Sequence, residues 1–98
     1  MLFRSANADI LSSPIIPSNP LSIFRIYAVF NTAGVLYVKR TRGATSVLEA
    51  LNNGASLNAN ASYIFDIIVV SDDSINFQYS VNATLLTLIV VEVSALVS

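Results

Sequence analysis

The chain has 98 residues, of which 54% are hydrophobic and only 11% are charged, and its formal net charge is −1. This length accommodates one domain, and the charge gives no electrostatic footprint for nucleic acid, so we expect no nucleic-acid partner. The sequence contains no histidine and no cysteine, which excludes the commonest general base and metal ligand as well as thiolate nucleophiles and disulfides.

Residues 1–20 predict an extended N-terminal arm in front of a single β-domain formed by residues 21–98. The three prolines of the chain, Pro14, Pro17 and Pro20, all fall in this arm. Each proline lacks a backbone donor and favours an extended residue before it. Apolar arm residues need a surface to cover, either on their own domain or on a neighbouring subunit. The expected arm contacts are Ile10, Leu11, Ile15 and Ile16.

If the arm lies on a neighbouring subunit, it would lock onto that subunit by strand addition. In that case, removal of residues 1–20 should weaken assembly and leave the fold intact.

Two segments after the arm, residues 21–31 and 35–41, are rich in β-branched and aromatic residues and predict strands. The sequence "NTAG" at 31–34 is typical of a turn. A hairpin is the simplest way to join the two strands.

Residues 43–62 are compatible with two local structures. Ser46 and Glu49 match a capping box, which would start a short helix that ends at Asn53 and Gly54. A short edge strand followed by an Asn-Gly turn is the alternative. We favour the strand because the flanking segments are β.

Three strands are predicted at residues 63–70, 74–81 and 84–93. The middle one alternates, with Ile75 and Phe77 on an apolar face. The other two are apolar on both faces, and such strands need two apolar neighbours. We therefore expect the second faces to form a contact between subunits. The expected oligomer interface comprises Ile64, Ile68, Val70, Leu86, Leu88 and Val90.

Asp72 and Asp73 stand between two of these strands. Aspartate favours turns because it hydrogen-bonds its own backbone, so the pair predicts the turn of a hairpin. Adjacent carboxylates need not converge for acid–base work, and the spacing does not match a calcium loop. We therefore expect no catalytic, cofactor-binding or metal-binding residues, and no enzymatic activity.

Asp66 and Glu92 each interrupt an otherwise apolar strand. A buried carboxylate is costly unless it is paired, so these two side chains are either exposed or paired across strands or subunits. The candidate cations are Arg25, Lys39 and Arg40.

The N-terminus has no apolar core of about 7 to 15 residues after Arg4, which argues against a secretory signal. The most apolar segment, residues 84–97, is shorter than the about 20 residues that a bilayer requires. We expect synthesis in the cytoplasm without a signal peptide and no membrane span.

Residues 57–93 resemble the closing strands of small trimeric jelly rolls, namely the globular heads of complement and tumour-necrosis-factor-like proteins and related modules of viral and spore-surface fibres. The resemblance comprises a "Y-x-F-x-I" strand, an "S/G-D-S/T-I" turn and a final "x-L-x-V-x-x-V" strand, although the chain is shorter than those heads. It implies a self-associating building block, with a trimer favoured. The matching residues are Tyr63, Phe65, Ile67, Asp73, Ser74, Ile75, Leu88, Val90 and Val93.

We therefore predict an all-β protein, an antiparallel jelly-roll-like β-sandwich with an N-terminal arm. The expected function is that of a structural subunit of a large particle, most plausibly a virion capsid, decoration or turret protein. Its expected partners are further copies of itself and other particle proteins, in a virion or another extracellular assembly. The alternative is a receptor- or glycan-binding module at the tip of a surface fibre, with its loops at 52–54 and 58–60 as the binding surface.

Overall fold

The computed structural model describes the backbone of residues 2–4 and 6–95, and the side chains of residues 6–83 and 87–93. Within these ranges the regular structure is β, apart from one short 3-10 turn at Asn52–Gly54. The five strands that were predicted with bounds between residues 21 and 93 are all present, and their ends differ from the prediction by at most two positions. The strands are β1 (Leu2–Arg4), β2 (Leu21–Phe30), β3 (Leu36–Arg42), β4 (Thr45–Ala50), β5 (Ser62–Val70), β6 (Ser74–Tyr79) and β7 (Ala83–Ala95).

The strands form two antiparallel sheets that pack face to face. One sheet has the order β1-β7-β2-β5 and the other has the order β4-β3-β6. Buried side chains from both sheets form one hydrophobic core. The predicted all-β antiparallel sandwich is confirmed.

Two of the predicted hairpins are wrong. β2 pairs with β5 and β7, whereas β3 pairs with β4 and β6, so the turn at 31–34 carries the chain from one sheet to the other. The Asp72-Asp73 segment also makes a turn, in which the Asp73 N–H donates to the Val70 carbonyl at 3.0 Å. This turn joins β5 of one sheet to β6 of the other. Turn residues signal a reversal of the chain, but they do not select the strand that pairs.

The β3–β4 connection is a hairpin with a two-residue loop, Gly43 and Ala44, between the paired Arg42 and Thr45. Gly43 has a φ of 59°, and glycine at the first loop position is typical of tight hairpins. The strand alternative for this segment is therefore confirmed. The Ser46 hydroxyl lies 2.9 Å from the Thr41 hydroxyl on β3 and does not cap a helix.

Alternate residues of β6 form the centre of the core, which confirms the predicted alternation. Ile75, Phe77 and Tyr79 are each 0% exposed. The ring of Tyr79 stacks on Phe30, with centroids 3.9 Å apart, and its hydroxyl donates to the Thr32 carbonyl at 2.6 Å. Gly34 lies against this ring, and a Cβ at that position would be only 2.9 Å from it.

The N-terminal arm packs on its own chain. The N–H groups of Asn7, Ile10 and Ile15 donate to the carbonyls of Tyr79, Phe77 and Ile75 respectively, each at 2.8 Å. The arm therefore runs antiparallel to β6 along its free edge.

The four expected arm contacts differ in burial. Ile10 is 3% exposed and belongs to the core, and Leu11 and Ile15 pack against it. Ile16 is 70% exposed. Because Ile10 is a core residue, we now expect removal of residues 1–20 to destabilise the fold.

Asn76 attaches the arm to β6. Its side chain is buried, and its Oδ1 accepts from the N–H groups of Leu11 at 2.9 Å and Phe77 at 2.8 Å. Its Nδ2 donates to the Leu11 carbonyl at 3.0 Å. One side chain thus satisfies both main-chain polar groups of Leu11.

Glu92 anchors the segment between the arm and β2. Its carboxylate accepts from the hydroxyl of Ser22, the main-chain N–H of Ser18 and the side-chain amide of Asn19. These hydrogen bonds hold the pKa of Glu92 below its ordinary value, and the bond from Ser22 has the largest effect. Among the described residues Glu92 has no cation partner, and its charge is stabilised by neutral donors.

We expect Asn76→Ala to destabilise the fold by about 1–3 kcal/mol, because it leaves partly buried main-chain groups of Leu11 without partners. Urea unfolding followed by circular dichroism measures this change. Asn82→Ala is the matched control, since Asn82 accepts from the Ala6 N–H of the same arm but is exposed. Equal effects of the two substitutions would contradict the role assigned to Asn76.

Burial raises the pKa of Tyr79 to about 12. The folded state therefore holds this proton more tightly than the unfolded chain, whose tyrosine titrates near 10.0. We expect the free energy of unfolding to fall as the pH rises from 10 to about 12. The absorbance of tyrosinate should show a step near pH 12, and Tyr79→Phe should remove this step. A Tyr79→Phe titration identical to that of the wild type would contradict this assignment.

Candidate functional site

The acidic pair at the β5–β6 turn lies beside an ion pair and a small cleft. Asp73 is paired with Arg42 at 2.7 Å. Among the described residues, no three His, Cys, Asp or Glu side chains cluster so that they could hold a metal ion. A cleft of about 250 Å³ beside the pair is lined by Ile16, Thr41, Gly43, Ser71, Asp72, Asp73 and Ser74.

The most distinctive surface is the outer side of the β1-β7-β2-β5 sheet. Phe24, Ile26 and Ala28 of β2 are buried in the core, so the residues between them point outward. Residues that pair across antiparallel strands lie on the same side of a sheet. The pairing therefore places three adjacent strands of side chains on this side, called here the apolar face: Ile64, Asp66 and Ile68 of β5, Ile23, Arg25 and Tyr27 of β2, and Ile89 and Val91 of β7.

Large aliphatic side chains are exposed on this face. Ile64 is 63% exposed, Ile68 and Ile89 are each 52% exposed, and Val91 is 50% exposed. Val93, farther along β7, is 45% exposed. Exposed apolar patches of this kind mark sites of interaction.

The outer side of the other sheet is different in character. There the arm residue Asp9 accepts hydrogen bonds from Lys39 of β3 at 3.2 Å and from Gln78 of β6 at 2.8 Å. Thr41 and Ser46 add a hydroxyl pair. Leu48, on the edge strand β4, is 50% exposed. The outer side of this sheet therefore carries polar contacts beside the exposed Leu48.

One ion pair lies within the apolar face. The Arg25 guanidinium donates from Nε to Asp66 Oδ1 at 2.9 Å and from Nη2 to Oδ2 at 3.0 Å. The hydrogen bond from Arg25 lowers the pKa of Asp66, and the same bond raises that of Arg25. Asp66 is thus both exposed and paired across strands, with Ile64 and Ile68 on either side of it.

The residues expected at the oligomer interface divide into three groups. Ile64 and Ile68 are exposed on the apolar face, and Val70 is half-buried. Leu88 and Val90 pack against the core instead. The side chain of Leu86 lies outside the described residues.

The register between β2 and β7 explains why Leu88 and Val90 do not lie on the apolar face. Leu88 pairs with the buried Ala28 and Val90 with the buried Ile26, so both turn inward. The outward positions of β7 are Ile89 and Val91. Sequence reasoning missed them because both alternations of this strand are apolar.

Comparison of the chain with protein-family models, with characterised proteins and with solved structures finds no match. In the described part of the chain, no helix is long and apolar enough to cross a membrane.

We expect Arg25→Ala to raise the pKa of Asp66 toward its ordinary value of 3.8, because the first cause of its depression is lost. The depressed pKa stabilises the fold at pH values above the unfolded pKa, and this contribution disappears as the pH falls through the folded pKa. A carboxyl titration by NMR measures the change. Arg42→Ala, which removes a different ion pair, should leave Asp66 unchanged, and an unaltered Asp66 titration in Arg25→Ala would contradict the assignment.

Proposed function

We propose that the chain is a structural subunit of a large particle and that its copies assemble through the apolar face. The observation that carries this proposal is a group of aliphatic side chains, each at least half exposed, on the outer side of the β1-β7-β2-β5 sheet: Ile64, Ile68, Ile89 and Val91. On the other sheet, Val47 and Leu48 of the edge strand β4 are also exposed. Each Å² of apolar surface removed from water contributes about 25 cal/mol, so burial of this face between copies would favour association. A free subunit would leave Ile64 and Ile68 in water.

The strand connectivity supports the further proposal that the sandwich is a jelly roll. If the arm is counted as a strand beside β6, the second sheet becomes β4-β3-β6-arm, and each sheet has four strands. In chain order, the first, third, sixth and eighth strands then form one sheet, and the second, fourth, fifth and seventh form the other. An antiparallel sandwich of eight strands in two sheets is the jelly-roll arrangement, which occurs in viral capsid proteins and lectins.

A capsid, decoration or turret protein of a virion is the particle component that we propose. Viral capsids are built from jelly rolls that associate with copies of themselves, which is what the apolar face would promote. Asp9, Asp66 and Asp73 each make an ion pair within the domain. The resemblance of residues 57–93 favours a trimer, which requires a contact between copies other than a closed twofold pair.

A receptor- or glycan-binding module is the second candidate. Asn52, Asn53 and Asn60 are exposed and have positive φ values of 56°, 53° and 61°. They belong to a loop that is bonded to the β2–β3 turn through Leu57 and Gly34. Exposed amides at one end of a sandwich could bind sugar hydroxyls, and a glycan array with the purified protein tests this candidate.

We expect Ile68→Lys to weaken self-association at least about tenfold, since burial of one isoleucine contributes about 1.5–3 kcal/mol and the lysine adds an unpaired charge. Light scattering over a concentration series measures the mass, and circular dichroism verifies the fold. Leu48→Lys is the matched control, because Leu48 is 50% exposed against 52% for Ile68 but lies on the other sheet. Equal masses for both variants would contradict the proposal.

A further inference from the structure

We propose that the occupant of the apolar face is a second copy of this chain, related to the first by a twofold axis that runs along the strands between β2 and β5. In this arrangement Arg25 of each copy faces Asp66 of the other. The inference rests on the proposed function, in which copies associate through this face, and it specifies the geometry of one contact.

The apolar face is complementary to itself under this operation. Arg25 and Asp66 are direct partners on neighbouring strands. When a second copy is turned over about an axis midway between β2 and β5, its β5 lies over β2 and its β2 lies over β5. A cation then lies over an anion twice, and the contact is isologous.

The same operation also matches the apolar side chains. Tyr27 pairs with Ile64 within the sheet, and Ile23 pairs with Ile68. Each member of these pairs would therefore meet the other member on the second copy. Apolar side chains of one copy therefore meet apolar side chains of the other on both sides of the central ion pairs.

Hydrogen-bonding capacity favours a second copy over a purely apolar partner. A guanidinium carries five N–H donors, and Asp66 accepts from two of the nitrogen atoms of Arg25. Burial under an apolar partner would leave the remaining donors without acceptors, at a cost in free energy. The carboxylate of the second copy supplies acceptors at this position, and the first copy does the same in return.

Face-to-face packing of this kind is the ordinary geometry of sheets, which stack about 10 Å apart with their strands nearly aligned. Because the proposed axis lies between β2 and β5, the overlap of the two copies is centred on these strands. β5 is an edge strand of the sheet, so β7 lies away from the centre. Ile89 and Val91 of β7 lie outside this centre and remain for contacts with further copies. A particle needs such a second contact, since a twofold contact closes on itself.

Two charge variants and their mixture test the inference. Arg25→Asp gives a face with two anions, and Asp66→Arg gives a face with two cations. We expect each variant alone to associate at least about tenfold more weakly than the wild type, because like charges then oppose each other. An equimolar mixture should recover association as mixed pairs, and the double variant R25D/D66R should self-associate like the wild type.

The measurement is light scattering with one variant fused to a mass tag, so that mixed pairs differ in mass from pairs of either variant. Circular dichroism verifies that each variant is folded, which is expected because the ion pair is exposed. Recovery in the mixture supports the twofold contact.

Failure of the mixture to recover, or wild-type association by Arg25→Asp, would overturn the twofold contact. The proposed function would still stand in that case, provided that the wild type associates. A wild type that remains monomeric at every concentration would overturn both proposals, and a different partner would then have to cover the face.

Discussion

Three neighbouring strands, β5, β2 and β7, carry apolar side chains on both of their sides, and a two-sheet sandwich has only one interior in which to bury them. Ile26 of β2 and the residues that pair with it face the core. The side chains at the alternate positions of these strands therefore face water. Apolar burial is the main favourable term in folding and in association. The same strand composition that stabilises the core therefore also creates the apolar face, and the proposed assembly covers what folding leaves exposed.

The edges of the sheets restrict how such an assembly can form. Free edges invite strand addition by other chains, and proteins generally block them. The arm occupies the free edge of β6, where Ile10 enters the core. At the edge strand β5, the Ile68 carbonyl accepts a hydrogen bond from the Arg40 guanidinium at 2.6 Å. Strand addition by the arm to a neighbour would require it to leave β6, so contact between faces is the association that leaves the subunit fold unchanged.

Charged groups are few, and several of those in the described chain join elements of the fold. Lys39 joins the arm to β3 through Asp9, and Glu92 fixes the segment that follows the arm. The Arg25–Asp66 pair differs from these contacts, since it joins two strands that are already paired along their length. Its distinctive property is its position among exposed aliphatic side chains, where it can specify how two copies are aligned.

The sequence by itself determined the strands after residue 20 and the presence of apolar side chains on both sides of β5 and β7. These properties are local, because a period of two acts over a few residues. Only the tertiary structure decided that β2 and β3 belong to different sheets, that Ile89 rather than Leu88 faces outward, and that Asp66 meets Arg25. When both alternations of a strand are apolar, periodicity cannot distinguish inside from outside. The choice then depends on hydrogen bonds to strands that are distant in the chain, and these leave no mark on the local sequence.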